Sequence, residues 1–242
     1  MNPLILIPAR MAATRLPDKP LADIGGKPMI VRAWEQAMAS GYRVAVAAGD
    51  PEIVDVITAA GGEAVVSDPA LPSGSDRIQA TLQVIDPDRI HDVIINLQGD
   101  MPFADPGLAR ACVQVLAAEP GCDIATLVAP EAGPDDRTNV DVVKAVLAMG
   151  EGAGHGRALY FTRSTLYGDG PVWRHVGLYG YRRAALERFC AAPPSPLEQR
   201  EKLEQLRALE MGLSIWAAVI GDAPLSVDNP ADLERARAVA GK

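Results

Sequence analysis

Along this chain, short unbroken apolar runs alternate with stretches whose apolar residues recur every three or four positions. Leu4 to Ile7, Val44 to Ala48, Val93 to Leu97 and Ile124 to Val128 are runs of the first kind. Runs this short, with no polar residue at alternate positions, predict strands buried on both faces. In the stretches between them, Ile30, Ala33, Trp34, Ala37 and Met38 fall on one helical face, and so do Leu108, Cys112, Val115 and Leu116. Helix starts are marked at Asp50-Pro51, Asp105-Pro106 and Asn229-Pro230, each a capping residue followed by a proline whose missing N–H is harmless in a first turn. Strand–helix alternation of this kind predicts an α/β fold, a mostly parallel sheet with helices on both faces. No internal repeat or coiled-coil heptad interrupts it.

The rhythm changes after about Gly133. Val142 to Leu147 and Arg174 to Tyr181 read as strands without full-length helices between them, and Gly150 to Gly156 reads as a turn or loop. Ser195-Pro196-Leu197-Glu198 is a capping box with proline in the first turn, and Leu203, Leu206 and Leu213 give the helix after it an apolar side. The expectation is one domain over 1–242, with a small β-rich insertion at about 133–195 and then a closing strand and helix.

Composition narrows the function. The 242 residues carry 23 Lys and Arg against 31 Asp and Glu, a net charge of −8. Nucleic-acid binding needs a broad basic face and adhesion to anionic membranes needs cationic clusters, so neither partner is expected. Three cysteines, Cys112, Cys122 and Cys190, show no C-x-x-C spacing, which excludes a fully paired disulfide scaffold and suits a reducing compartment. The first ten residues have a four-residue apolar run, Leu4 to Ile7, and no basic leader, so a cytoplasmic location is expected.

The residues that could do chemistry cluster at strand ends, where ligands of open α/β sheets bind. After the first run comes Arg10, then Arg15 and Lys19, three cations within ten positions of an acidic chain. They read either as a solvated surface loop or as a polyphosphate clamp, and the position after the first strand favours the clamp. No G-x-G-x-x-G and no G-x-x-x-x-G-K-[ST] occurs, which speaks against a dinucleotide oxidoreductase and a P-loop; the glycines from Gly150 neither follow a strand into a helix nor end in Lys-Ser/Thr. Asp100, in Gln98-Gly99-Asp100-Met101-Pro102 just past the third run, is placed either to hold a cation or to cap a turn. Asp228 precedes Asn229, itself a competent cap, which frees Asp228 for another task. Magnesium needs only one or two carboxylates when phosphates and water supply the rest. The histidines at 91, 155 and 175 make no metal spacing, and no serine sits in a G-x-S-x-G elbow.

These blocks together carry a resemblance. They are I-P-A-R-M-A-A-T-R-L-P-D-K-P-L from Ile7, G-K-P-M-I from Gly26, S-G-S-D-R from Ser73 and Q-G-D-M-P from Gln98. A-L-Y-F-T-R from Ala158, R-H-V-G-L-Y-G-Y-R from Arg174, S-P-L-E-Q-R-E-K-L-E-Q-L-R from Ser195 and V-D-N-P-A-D-L-E-R from Val227 complete the set. In that order, across nearly the whole chain, the sequence resembles the 3-deoxy-manno-octulosonate cytidylyltransferases, the CMP-Kdo synthetases of lipopolysaccharide synthesis. The basic loop is shared with other sugar cytidylyltransferases; the blocks from Ala158, Arg174 and Ser195 are more specific to the Kdo enzymes.

The resemblance implies a Rossmann-like nucleotidyltransferase fold, a homodimer, and CTP and Kdo as substrates yielding CMP-Kdo and pyrophosphate. By position it implies that Arg10 and Lys19, with Arg15, bind the CTP phosphates, and that Arg10, Lys19 and Asp100 are catalytic. It further implies that Ser73, Ser75 and Arg77 face the cytidine, that Gln98 lies near the ribose, and that Asp100 and Asp228 hold Mg2+. Arg163, His175, Tyr179, Glu204 and Gln205 match positions lining a sugar-acid pocket, although Glu204 also reads as a surface ion pair with Arg200 four residues earlier. The chain departs from the common pattern at Met101, where Glu is usual, at Asp18 and Asp76, which stand for Gly and Glu, and in a longer turn from Gly150. Two rivals are a cytidylyltransferase for a related acid, such as sialate or amino-substituted Kdo, and a catalytically silent nucleotide-binding protein of the same fold.

Overall fold

The computed structural model describes residues 1–12 and 16–241, and the chain divides into two compact units, 1–109 with 224–242 and 110–223. The first unit begins with β1 (Pro3–Ala9), which leads through a basic loop and the 3-10 turn Lys19–Leu21 to the hairpin of β2 (Asp23–Ile24) and β3 (Lys27–Pro28). There follow α1 (Met29–Met38), β4 (Arg43–Ala48), α2 (Pro51–Ala59), β5 (Glu63–Val66), α3 (Gly74–Ile85) and β6 (Val93–Asn96), and the next element, α4 (Gly107–Ala118), falls mostly within the second unit. Apart from the antiparallel β2–β3 hairpin, the first unit's strands lie in the order β5-β4-β1-β6 and those pairs are parallel. Leu4, Ile5, Leu6 and Ile7 are fully buried, as are Ala45 to Ala48, so the central strands are covered on both faces as their unbroken apolar runs require. Each buried isoleucine or leucine contributes about 1.5–3 kcal/mol relative to exposure, which holds the sheet in a single register.

The second unit holds β7 (Ile124–Pro130), β8 (Lys144–Ala148), β9 (His155–Thr162), β10 (Trp173–Arg182), α5 (Arg183–Ala191), α6 (Pro196–Glu201), α7 (Gln205–Glu210) and β11 (Ile215–Val219). Its strand order is β10-β7-β11-β9-β8, and Trp173 and Arg174 of β10 pair again with Ala145 and Lys144 of β8. Only β11 and β7 run parallel there; the remaining pairs are antiparallel. The chain then returns to the first unit as α8 (Pro230–Ala240). Among the described residues no helix is long and apolar enough to cross a membrane.

The four buried runs, the proline-marked helix starts and the change of rhythm in the second half all appear where the pattern places them. Three expectations need correction. His155 and Gly156 belong to β9 rather than to the turn, and β9 as a whole was not anticipated: its apolar run is confined to Ala158 to Phe161, and buried and exposed residues mix along it without a clean alternation. The short β5 was missed for the same reason, since none of its residues is fully buried. Finally, one helix after Ser195 is in fact two, because Lys202 adopts the left-handed conformation (φ 58°) and breaks the hydrogen-bond ladder between α6 and α7. Leu203, Leu206 and Leu213 are nevertheless all buried.

Candidate active site

The carboxyl ends of β1 and β6 and the amino ends of α3 and α8 bring the first unit's candidate residues together. A cleft of about 420 Å3 opens there, lined among others by Arg10, Lys19, Ser73, Arg77, Asp100 and Asp228. At its centre the Lys19 ammonium donates to Asp100 Oδ2 at 2.8 Å and to Asp228 Oδ1 at 3.4 Å. Residues 81 and 209 positions apart thus converge on one nitrogen.

The local sequence explains how each is held. Asp18 stands in the left-handed region (φ 53°), where the usual residue is glycine; a short polar side chain tolerates it, and the following Pro20 tightens the turn that aims Lys19. The Val227 N–H donates to the Asp100 carbonyl at 3.0 Å, tying the loop after β6 to the segment before α8. Asn229 caps α8, and the Asp232 carboxylate accepts from the backbone N–H of both Asp228 and Asn229. Asp228 is therefore relieved of capping, and its side chain is turned to Lys19. Burial, the largest influence, raises the pKa of Asp100, and the Asp228 charge adds to it; the charge and hydrogen bond of Lys19 oppose them.

Ser73 caps α3, its Oγ accepting from the Asp76 N–H at 3.1 Å and donating to the Asp76 carboxylate at 2.7 Å, so Asp76 does local work in place of the longer Glu. Arg77, 2% exposed, donates to Ser67 Oγ and to the Asp68 carbonyl. Gln98 Nε2 donates to Asn96 Oδ1 beside the cleft. Ser75 is buried and does not line the cleft. Arg15 lies outside the described residues. Met101 is buried, so the position where Glu is usual carries an apolar side chain here.

In the second unit, His175 and Tyr179 stand side by side on β10 with ring centroids 5.4 Å apart, and Phe161 meets His175 edge-on at 5.0 Å. His175 Nε2 is 3.0 Å from Thr126 Oγ1, which itself reaches the Leu178 carbonyl at 2.9 Å. With the hydroxyl proton directed to that carbonyl, the neutral imidazole is the donor at Nε2. Burial pushes His175 down to about 3, so the ring is neutral at physiological pH and offers hydrogen bonds, not charge. Burial and the charge of Glu204 push the Tyr179 phenol up, which keeps it protonated. Glu204 pairs with Arg207 at 3.4 Å, whereas Arg200 turns to Glu201 and the Tyr160 hydroxyl. Beside Glu204, the Gln205 side-chain Nε2 is buried with no hydrogen-bond partner among the described residues. The Arg163 guanidinium donates to the carbonyls of Val140 and Asp141 at 3.2 Å.

Two residues of evident importance escaped the sequence reading. Lys144 is fully buried in β8 and donates to the Asn139 and Arg163 carbonyls, at 2.8 Å each; burial and the Arg163 charge lower its pKa. A lone lysine inside the apolar stretch Val142 to Leu147 was the available signal. Asp50, read as a helix cap, instead accepts the Met11 N–H at 2.7 Å. Cys112 and Cys122 are buried, and burial pushes the Cys122 thiol up to about 12, which leaves neither poised as a nucleophile.

Comparison with known proteins agrees with this geometry. The cytidylyltransferase family model matches residues 4–215. A 3-deoxy-manno-octulosonate cytidylyltransferase of Parvibaculum lavamentivorans is 58% identical over 239 residues, covering 98% of this chain and 92% of the relative. The enzyme of that name from Rhodospirillum centenum is 55% identical over 240 residues, covering 98% of this chain and 93% of the relative. Among solved structures, a CMP:2-keto-3-deoxy-manno-octonic acid synthetase complexed with CTP superposes with a TM-score of 0.91 at 34% identity, over 100% of this chain and 99% of that one.

Proposed function

The chain belongs to the 3-deoxy-manno-octulosonate cytidylyltransferase family, and from that premise we propose that the first-unit cleft takes CTP and that the second-unit cluster contributes the sugar-acid contacts. The reaction is transfer of CMP from CTP to Kdo, giving CMP-Kdo and pyrophosphate. The anomeric oxygen of the sugar forms a bond to the α-phosphorus, the bond from that phosphorus to the bridging oxygen breaks in line, and the hydroxyl proton is lost. No protein nucleophile is needed, so the residues act by positioning and by neutralising charge.

The observation that carries this reading is the convergence of Lys19, Asp100 and Asp228. An ammonium has three donors; two serve the carboxylates, and the third is assigned to a phosphate oxygen. Arg10, exposed beside the same cleft, is assigned to the triphosphate, and the partly open Ser73 and buried Arg77 to the nucleoside. The carboxylate pair suits Mg2+: hard oxygen donors, an anion in Asp100 disfavoured by its partial burial, and no histidine or thiolate among the convergent groups. Magnesium bound there would supply positive charge against the triphosphate. In the second unit, neutral His175, protonated Tyr179 and the unpartnered Gln205 amide present hydrogen bonds suited to hydroxyls, and Arg163 offers a guanidinium for a carboxylate. The family further supports a cytoplasmic homodimer serving lipopolysaccharide synthesis.

The test is release of pyrophosphate and formation of CMP-Kdo from CTP and Kdo, with and without chelator, with sialate and amino-substituted Kdo as competing acids. Magnesium-dependent CMP-Kdo formation, fastest with Kdo, is expected. Folded protein that binds CTP yet releases no pyrophosphate would leave it a silent nucleotide binder.

A further inference from the structure

The Asp50-Pro51 pair has the form of a helix start, and Asp50 does adopt the extended backbone of a cap residue (φ −142°, ψ 142°), yet its side chain makes no capping bond to α2. The carboxylate points the other way. The parallel ladder between β1 and β4 ends at Ala9 and Ala48, and one more rung follows as the Gly49 N–H donates to the Ala9 carbonyl at 2.8 Å. Two residues on, where the next rung would fall, the Met11 N–H donates to Asp50 Oδ2 at 2.7 Å. A side-chain oxygen thus replaces a backbone carbonyl and extends the ladder into the basic loop, fixing the residue next to Arg10.

Gly49 makes this approach possible. A Cβ at that position would lie 2.9 Å from Arg10 Cβ and 2.9 Å from Arg77 Nη1, so the backbone between β4 and α2 packs directly against the two arginines of the cleft. The charge of Asp50 acts on Arg77 too, favouring its protonated form against burial and the nearby Arg10 charge. An anion among the cations of a polyphosphate site works against affinity unless it does something else there.

We propose that Asp50 is a positioning residue of the nucleotide site, holding the backbone at Met11 so that Arg10 is aimed into the cleft. The proposal rests on the reading of that cleft as the CTP site. It predicts an effect opposite to simple electrostatics. Removing a negative charge near a polyphosphate would tighten binding through space; losing the strut loosens it.

The experiment compares Asp50→Ala, Asp50→Ser and Asp50→Asn with the unmodified protein, by calorimetric titration of CTP with magnesium and by saturation curves for both substrates. Asp50→Asn keeps an acceptor of the same reach and is expected to bind CTP at least as tightly as the unmodified protein. Asp50→Ser preserves a residue type that caps helices but is too short to reach Met11 in the same way. It and Asp50→Ala are expected to bind CTP about tenfold more weakly, with the KM for Kdo unchanged within about twofold. Because Ser retains capping ability, the comparison stands even if Asp50→Ala fails to fold. CTP binding by Asp50→Ser equal to or tighter than that of the unmodified protein overturns the proposal while leaving the nucleotide reading intact, and so does an equal rise in both KM values. Failure of the unmodified protein to bind CTP at all would overturn both.

Discussion

Asp100 sits under opposing influences: burial and Asp228 favour its neutral form, and Lys19 favours the carboxylate. Replacing Asp100 or Asp228 by Asn keeps the size and removes the charge, and each change is expected to lower turnover at least about 100-fold, roughly 2.7 kcal/mol. Since both carboxylates meet at one point, the double variant should lose less than the product of the single losses. Steady-state kinetics at saturating magnesium decide; near-normal turnover of either folded single variant removes that residue from the proposed metal site. At this scale the sequence showed a good deal, because an aspartate in a Gly-Asp-x-Pro loop after a buried strand, and another beside a better cap, are conspicuous. Lys144 and Asp50 were not. Their partners, such as Arg163 and Met11, are 19 and 39 positions away, and no local pattern links them.

Among the elements, α8 has the most direct bearing on the site. Asn229 and Asp232 form a reciprocal capping box, and the Asp232 carboxylate also takes the Asp228 N–H at 2.9 Å. Asn229→Ala should lower the unfolding free energy by about 1 kcal/mol, and Asn229→Ser should restore most of it. Chemical denaturation measures this, and an unchanged midpoint in the Ala variant would mean that the cap contributes nothing. The box was legible, since the cap, the proline and the acidic third residue are adjacent in the chain. So was the box at Ser195 and Glu198, also present in full. The break at Lys202 was invisible: lysine is a good helix former, yet it stands left-handed here, just before the buried Leu203 and Leu206. Strand β9 was missed because only Ala158 to Phe161 of it is apolar, and its pairing with β8 and β11 extends it beyond that run.

For the molecule as a whole, acid stability carries a signature of the second unit. His175 takes up a proton near pH 6.5 when exposed, as in the unfolded chain, but near 3 in the fold. Between those values the unfolded state holds the extra proton, so this contribution to stability is present above about pH 6.5 and is lost as pH falls toward 3. From pH 7 to pH 5 the loss is about 2 kcal/mol. Denaturation curves at the two pH values should show a drop in the unmodified protein that His175→Gln lacks by about that amount; equal drops would mean the ring is not held neutral. The sequence alone determined the parallel α/β plan of the first unit, because buried strands and amphipathic helices write their periods into consecutive residues. It also determined the membership in a family, through ordered motifs, and the helix starts, through adjacent residues. Tertiary structure alone decided which side chains meet: that Lys19 bridges two distant aspartates, that the Asp50 carboxylate leaves its helix for the Met11 N–H, and that His175 is half-buried and held neutral. Hydrogen bonds and desolvation depend on distances of a few ångströms between groups far apart in the chain, and no one-dimensional pattern records those distances.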